Sequence, residues 1–300
     1  MPHTRRRTLQ NPTPELLRRQ AVVEEHDLAP DGSFSIISRR VVEGEHYVSH
    51  LWLVPLDVGR TGGILAGTPR RLTTGRVRDM WPRISPDGLR VAYTRAIPGR
   101  DKAPTTLRIL DLAGGEPHAP ALGELSCGEP AWSPDGRRIA FIAQADPQRF
   151  IVGKAPKDDE PMARRITVLD YRYDYEGYLD RRPQLHVVGA ADGARPRRLT
   201  DVSRGVSDIA WRPDGRAIAF AADPRDDADL HPRTSIFEVP ASAPRGTGYA
   251  TPKEILALAG PVRAPAWSPD GRWLAAVGVD DPDHDDDVAP TVVVGPADAG

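Results

Sequence analysis

Clustered carboxylates are the first residues of this sequence that could do chemistry. Residues 280–287 read DDPDHDDD, and residues 223–231 carry Asp223, Asp226, Asp227, Asp229 and His231. Acidic oxygens at this density could hold Ca²⁺, yet neither stretch has the glycine and closing glutamate of a calcium loop. Both fall where two strands have to be joined, so a solvated hairpin loop is the better reading. Nucleophilic chemistry finds still less. The nearest string to a nucleophile elbow, Gly205-Val206-Ser207-Asp208-Ile209, lacks its closing glycine. There is no His-Glu-x-x-His, no phosphate-cradling glycine loop and no Gly-x-Gly-x-x-Gly. Eight histidines are scattered, and the closest to ligand spacing, His46 and His50, read as surface residues. Cys127 is the single cysteine, which excludes an internal disulfide or a thiolate metal cage and marks it as a small packing residue. No catalytic constellation, metal or cofactor is expected in this chain.

The elements that would position any site come from a repeat. Residues 130–141 read PAWSPDGRRIAF, and close copies lie at 81–93, 209–220 and 265–277, with a worn one at 28–37. Each copy reads as strand, tight turn, strand. Proline presets φ near −65° in the turn, aspartate can bond its own backbone, and glycine takes a positive φ without a Cβ clash. Trp132, Trp211 and Trp267 end the first strand of their copies, as Ile84 does in an earlier one, and read as core wedges between sheets. The turn aspartates Asp31, Asp87, Asp135, Asp214 and Asp270 are spaced by 56, 48, 79 and 56 residues. A second signal, an apolar strand leading to Arg-Arg-Leu-Thr, recurs at 70–73 and 197–200. Two hairpins per unit at this period indicate an all-β fold, a β-propeller of four-stranded blades.

Composition agrees. Three hundred residues with 39% hydrophobic content can form one such domain, and 31 prolines with 27 glycines punctuate many turns. The balance of 40 basic and 42 acidic residues gives no reason to expect nucleic acid or a membrane surface as partner. The N-terminus has positive charge but no apolar run of a secretory signal, and no stretch of 18 apolar residues occurs, so a cytoplasmic location is expected.

In chain order, residues 1–25 read as a lead-in, with helical spacing over 14–23. The propeller takes residues 26–300, with blades at about 26–73, 79–122, 129–200, 206–257 and 261–300. The third is interrupted by an insertion over 144–183, and the fifth reads as incomplete.

These residues resemble a known family. The opening PELLRRQAVVEEHDLAPDG, then LWLVPLDVG, RRLT and the repeated SPDGRRIAF, are similar to the N-terminal propeller of prolyl-oligopeptidase-family serine peptidases. The acylaminoacyl-peptidase-like branch is nearest, with ARRITVLDYRYDYEGYLDRRPQLHVV at 163–188 the most telling segment; the SPDG repeats alone are shared with TolB-like propellers. The resemblance implies a C-terminal α/β-hydrolase domain, not contained in these 300 residues, that cleaves peptides while the propeller filters access. No catalytic residue carries over. A stand-alone TolB-like propeller acting as a protein-binding scaffold is the alternative.

The same resemblance directs attention to the insertion. Tyr171, Tyr173, Tyr175 and Tyr178 lie within eight positions. If residues 166–176 are extended, alternation puts Thr167, Leu169, Tyr171, Tyr173 and Tyr175 on one face and Ile166, Val168, Asp170, Arg172, Asp174 and Glu176 on the other. Such a hairpin either packs on a neighbouring blade or leans towards the hydrolase domain. In the second case Tyr171, Arg172, Tyr173, Asp174, Glu176 and Arg181 face substrate, with aromatics gripping peptide and arginine meeting a carboxylate or carbonyl. Asp174 and Glu176 could also hold a free amino terminus, as propeller carboxylates do in dipeptidyl-peptidase relatives.

Overall fold

Every copy of the repeat closes the same turn. In the computed structural model, which describes residues 13–58, 64–100, 103–145, 152, 163–174, 177–231, 233–242, 248–281 and 291–296, the turn glycines Gly32, Gly88, Gly136, Gly215 and Gly271 have φ between 64° and 72°. Each donates its N–H three residues back, at 2.8–2.9 Å. The serine hydroxyls of Ser85, Ser133 and Ser268 donate to Asp87, Asp135 and Asp270, and the same carboxylates accept the backbone N–H two residues on.

A five-residue helix, α1 (Pro14–Arg18), precedes the strands. The first sheet holds β1 (Val22–Leu28), β2 (Phe34–Glu43), β3 (His46–Val58), β4 (Ile64–Ala66) and β5 (Arg70–Arg71). The second holds β6 (Arg78–Ile84), β7 (Arg90–Ala96) and β8 (Thr106–Asp111), with an isolated bridge from Ile109 to His118 in place of a fourth strand. One parallel pair, Ser49 with Arg78, joins these two sheets. The third consists of β9 (Ala131–Trp132) and β10 (Arg138–Ala145), then, beyond a small hairpin of β11 (Arg172–Tyr173) and β12 (Gly177–Tyr178), β13 (Arg182–Gly189) and β14 (Arg197–Arg198). The fourth is β15 (Ser207–Trp211), β16 (Ala217–Ala222), β17 (Ser235–Pro240) and β18 (Lys253–Leu256). The fifth has three described strands, β19 (Val262–Trp267), β20 (Trp273–Gly278) and β21 (Thr291–Pro296).

The fold is the all-β propeller that the repeat predicts. Its helix is shorter than the spacing over 14–23 suggests: Val22 and Val23 are in β1, paired with Arg40 and Arg39. β-branched side chains lose χ1 freedom in a helix and fit a pleated edge.

Four apolar cores lie between consecutive sheets. Ile36 and Leu51 meet Val91 and Tyr93, Leu107 and Ile109 meet Ile139 and Phe141, Leu185 meets Ile218 and Phe220, and Ile236 meets Val262 and Leu274. Face-to-face packing in chain order sets the sheets as successive blades. Because β-strands alternate direction, the Ser-Pro-Asp-Gly-type turns all lie on one face, and the loops after each blade's second strand lie on the other.

A repeated joint links blades at the turn face. Trp132 Nε1 donates to the Arg83 carbonyl at 2.8 Å, and Trp211 Nε1 donates to the Ala131 carbonyl at 3.0 Å. Arg90 lies 4.8 Å over the Trp132 ring and donates to the Gly136 carbonyl at 2.8 Å. Arg138 repeats this over Trp211, at 4.9 Å, with the Gly215 carbonyl at 2.9 Å. Between the fourth and fifth blades the motif lapses. Ala217 stands in the arginine's place, Arg212 covers Trp267 at 5.5 Å, and the Trp267 Nε1 is buried without a partner. Of the three wedges Trp132 is buried, while Trp211 and Trp267 are half-buried.

The turns also set an acid limit. The hydroxyl of Ser268 and the N–H of Arg272 hold the Asp270 carboxyl down at about 2. Serine donors likewise lower Asp87 and Asp135, and the Ser33 N–H lowers Asp31. A folded-state value below the unfolded one contributes stability above the unfolded value, near pH 4, which is lost as pH falls through the folded value. The thermal midpoint is therefore expected to fall modestly between about pH 4 and 2, solvent screening these exposed turns. Replacing Asp87, Asp135 and Asp270 together with asparagine should flatten that slope; an unchanged slope in scanning calorimetry would place the acid lability elsewhere.

Candidate functional site

The first strands of all five blades converge on one cavity of about 560 Å³, lined among others by Asp27, Arg83, Glu129, Asp208 and Ala264. Three of these five first strands carry the same defect. Register slips between Met80 and Arg83 in β6, Ser207 and Ala210 in β15, and Arg263 and Ala266 in β19. At the same position in each bulge a non-glycine residue takes a left-handed backbone: Trp81 (φ 54°), Asp208 (φ 50°) and Ala264 (φ 52°). In the third blade the corresponding Glu129-Pro130 precedes a first strand only two residues long. Such residues carry strain that only a well-determined surrounding holds in place, and bulges re-aim side chains. Here they lie in the first strands of the second, fourth and fifth blades, and in the last two the left-handed residues, Asp208 and Ala264, line the cavity.

The electrostatics are lopsided. Arg83 pairs with Glu129. The Asp27 carboxylate accepts the Ile84 N–H at 2.6 Å, and Asp208 accepts the Ser207 hydroxyl at 3.1 Å. Three carboxylates face one guanidinium, so the cavity favours positively charged groups. Among the described residues no nucleophile with an adjacent base lines it.

The insertion departs from the extended run expected of 166–176. Among the described residues of that run only Arg172 and Tyr173 are strand, paired with Tyr178 and Gly177, and Gly177 takes a φ of 78°. The hairpin closes on itself. Tyr171 and Tyr178 rings lie 6.1 Å apart, Arg164 sits 4.1 Å over Tyr178, and its guanidinium grips Asp180 at 2.8 and 3.0 Å. Tyr171, Arg172, Asp174 and Arg181 are exposed. The side chain of Tyr173, and Tyr175 and Glu176 altogether, lie outside the described residues. The described candidates Tyr171, Arg172, Asp174 and Arg181 do not line the central cavity.

The acidic loops are engaged by protein groups. Asp223 is held by Arg225 at 2.6 and 2.8 Å and by the Arg233 N–H; burial would raise its carboxyl, but these donors keep it below its ordinary value. Asp229 accepts the Leu169 N–H, and Asp280 accepts the Ala259 N–H. Residues 282–290 lie outside the described residues. Among those described, no three His, Cys, Asp or Glu side chains converge as a metal site. His50 is buried, contrary to its surface reading, with Nε2 2.8 Å from the Gly75 carbonyl. Cys127 is buried in the core between the second and third blades, and burial pushes its thiol up.

Sequence reasoning missed Asp27, Arg83, Glu129 and Asp208. A signal existed: the residue three before each strand-ending Trp or Ile is followed by proline in Trp81-Pro82, Glu129-Pro130 and Ala264-Pro265. Proline interrupts a strand's donor ladder and marks bulges.

No family model matches this sequence. A curated relative, "Uncharacterized peptidase YuxL" of Bacillus subtilis (strain 168), is 27% identical over 205 residues, which cover 67% of this chain and 29% of the relative. The chain thus spans under a third of that protein. Among solved structures, a putative TolB from Agrobacterium tumefaciens superposes with a TM-score of 0.54 at 20% identity, over 93% of this chain and 78% of that one. The acylaminoacyl peptidase of Pyrococcus horikoshii gives 0.57 at 13% identity, over 89% of this chain and 37% of that one. No described helix is long and apolar enough to cross a membrane. The chain is a β-propeller of the fold that TolB-type proteins share with acylaminoacyl-peptidase-type enzymes.

Proposed function

We propose that this chain is the non-catalytic propeller portion of a prolyl-oligopeptidase-family, acylaminoacyl-peptidase-like serine peptidase, gating peptide access to a hydrolase domain that these residues do not contain. The observation that carries the reading is the central cavity, to which every blade contributes. Its bulged lining gives a passage in which a peptide's side chains and amino terminus meet one distinct residue from each blade. The likeness to a curated peptidase over two thirds of the chain supports it. Exposed Tyr171, Arg172 and Arg181 on the opposite face from the turns would meet peptide before or after that passage.

Two measurements test this. The isolated chain is expected to release no product from acyl-peptide substrates and to resist a fluorophosphonate probe, because no serine has a base and oxyanion hole beside it. In the full-length parent, Ala264→Trp should narrow the cavity and lower kcat/KM for longer peptides by about tenfold, leaving a small chromogenic ester unaffected. Equal rates on both substrate classes would remove the central cavity from the access route. The second reading, a TolB-like scaffold, is favoured by the extent of the TolB match, which covers most of both chains. That reading expects the chain alone to capture a protein partner and no hydrolase sequence to follow residue 300.

A further inference from the structure

The Arg-Arg-Leu-Thr string that the sequence repeats at 70–73 and 197–200 docks in the same way both times. In the first blade Arg71 and Arg70 pair with Trp52 and Leu53 of β3. The Leu72 N–H donates to the Leu51 carbonyl at 2.8 Å, and the Leu51 N–H donates to the Thr73 hydroxyl at 3.0 Å. Arg71 Nε then folds back to donate to the Thr73 carbonyl at 2.8 Å. The third blade repeats every contact. Arg198 and Arg197 pair with His186 and Val187 of β13. The Leu199 N–H donates to the Leu185 carbonyl at 2.8 Å, the Leu185 N–H to the Thr200 hydroxyl at 3.0 Å, and Arg198 Nε to the Thr200 carbonyl at 2.6 Å. Leu199 enters the core that holds Leu185, and Leu72 packs on the core that holds Leu51. Four consecutive residues make all of these contacts, so a short independent segment can make them too.

The fifth blade presents the same receiving strand. Ser38, Ile142 and Val277 occupy one position of the repeat, and they pair with Leu51, Leu185 and Val292 respectively. Val292 of β21 therefore holds the place of the two receiving leucines, its N–H and carbonyl turned as theirs are. Leu51 and Leu185 are fully buried, whereas Val292 is 71% and Val294 58% exposed. Among the described residues β21 pairs with β20 alone, and Thr291–Pro296 carries no charge to guard its edge.

We propose that the outer edge of β21 receives an extended segment of a separate polypeptide, two basic residues followed by leucine and threonine, as the fourth strand of the fifth blade. Strand addition to an exposed edge draws affinity from main-chain bonds and selectivity from the side chains. The threonine hydroxyl accepts the Val292 N–H, the leucine N–H donates to the Val292 carbonyl, and the leucine side chain lies over Val292. The second basic residue closes the segment on the threonine carbonyl. This surface goes beyond the peptidase reading and does not depend on it, since no residue of β21 lines the central cavity.

A capped peptide of residues 195–201, RPRRLTD, added to the chain as it is, tests the proposal. At saturation, exchange at the Val292 amide is expected to slow about tenfold, with an apparent Kd of about 1 mM or tighter. The Val206 amide, bonded to the Pro183 carbonyl in the third blade, should keep its rate. Peptides carrying Leu199→Ala or Thr200→Val should bind about fivefold more weakly or worse. Val292→Asp, at an exposed position of the chain, should remove the protection and leave the thermal midpoint unchanged. Unaltered exchange at Val292 under several millimolar peptide would overturn the proposal. Equal protection by a scrambled peptide of the same composition would reduce it to unspecific binding of arginine and overturn it as well. So would a concentration-dependent dimer that protects Val292 and is not displaced by the peptide, because a second copy would then occupy the edge.

Discussion

Trp132→Ala is expected to lower the stability of the chain by about 3–5 kcal/mol, the usual cost of emptying a buried aromatic site. Three losses coincide there. The indole leaves the core shared with Ile109, Ile139 and Phe141. The Arg83 carbonyl loses its 2.8 Å donor, and the Arg90 guanidinium loses the ring on which it lies while reaching for Gly136. Trp267→Ala should cost clearly less, because that ring is half-buried, its Nε1 bonds nothing, and Ala217 supplies no guanidinium to its joint. Urea midpoints of the two variants at constant m-value decide the matter. Equal losses would mean that neither the deeper burial of Trp132 nor the arginine over it adds to the cost.

That contrast shows how far the sequence could be read. The turn is local: four residues, a glycine forced to positive φ and a serine–aspartate bond suffice, so five copies at a blade-sized period disclosed the propeller. The wedge was also legible, since an aromatic at one position of each hairpin has few other uses. The arginine that covers it was not, because Arg90 serves Trp132 of the next blade, 42 residues on, and nothing local announces the partner. The central cavity was hidden for the same reason. Asp27, Arg83, Glu129 and Asp208 come from four blades and meet only when the blades are arranged about a centre. Arg83 and Asp208 lie at bulges that alternation of apolar and polar residues cannot show, although proline after Trp81 and Ala264 hinted at two such bulges. In the insertion alternation misled outright. β11 and β12 pair as a short hairpin, so Tyr171 faces Tyr178 across it instead of lining a long strand.

The bulge of β6 depends on a pair whose disruption should be as costly as losing the wedge. Asp79 is fully buried one residue before Met80, where the register slips, and Arg95 of β7 clasps both its oxygens at 2.7 and 2.9 Å. The Asp79 carbonyl accepts the Ser38 hydroxyl at 2.7 Å, tying the second blade to the first. Arg95 itself keeps one edge near water, with 22% of its side chain exposed. Removing the arginine leaves a carboxylate where water cannot solvate it, so Arg95→Ala should destabilise by about 3–5 kcal/mol. Adding Asp79→Asn removes the stranded charge, and the double variant should recover part of the loss. Such recovery is the signature of a desolvated charge, as opposed to lost packing of the arginine stem against Tyr93. If the bulge is held by this pair, Arg95→Ala should also speed exchange at the Ile84 amide, which Asp27 accepts at the rim of the central cavity. A loss below about 1 kcal/mol, or a double variant weaker than Arg95→Ala alone, would show that Asp79 is not stranded and that β6 keeps its bulge without the pair.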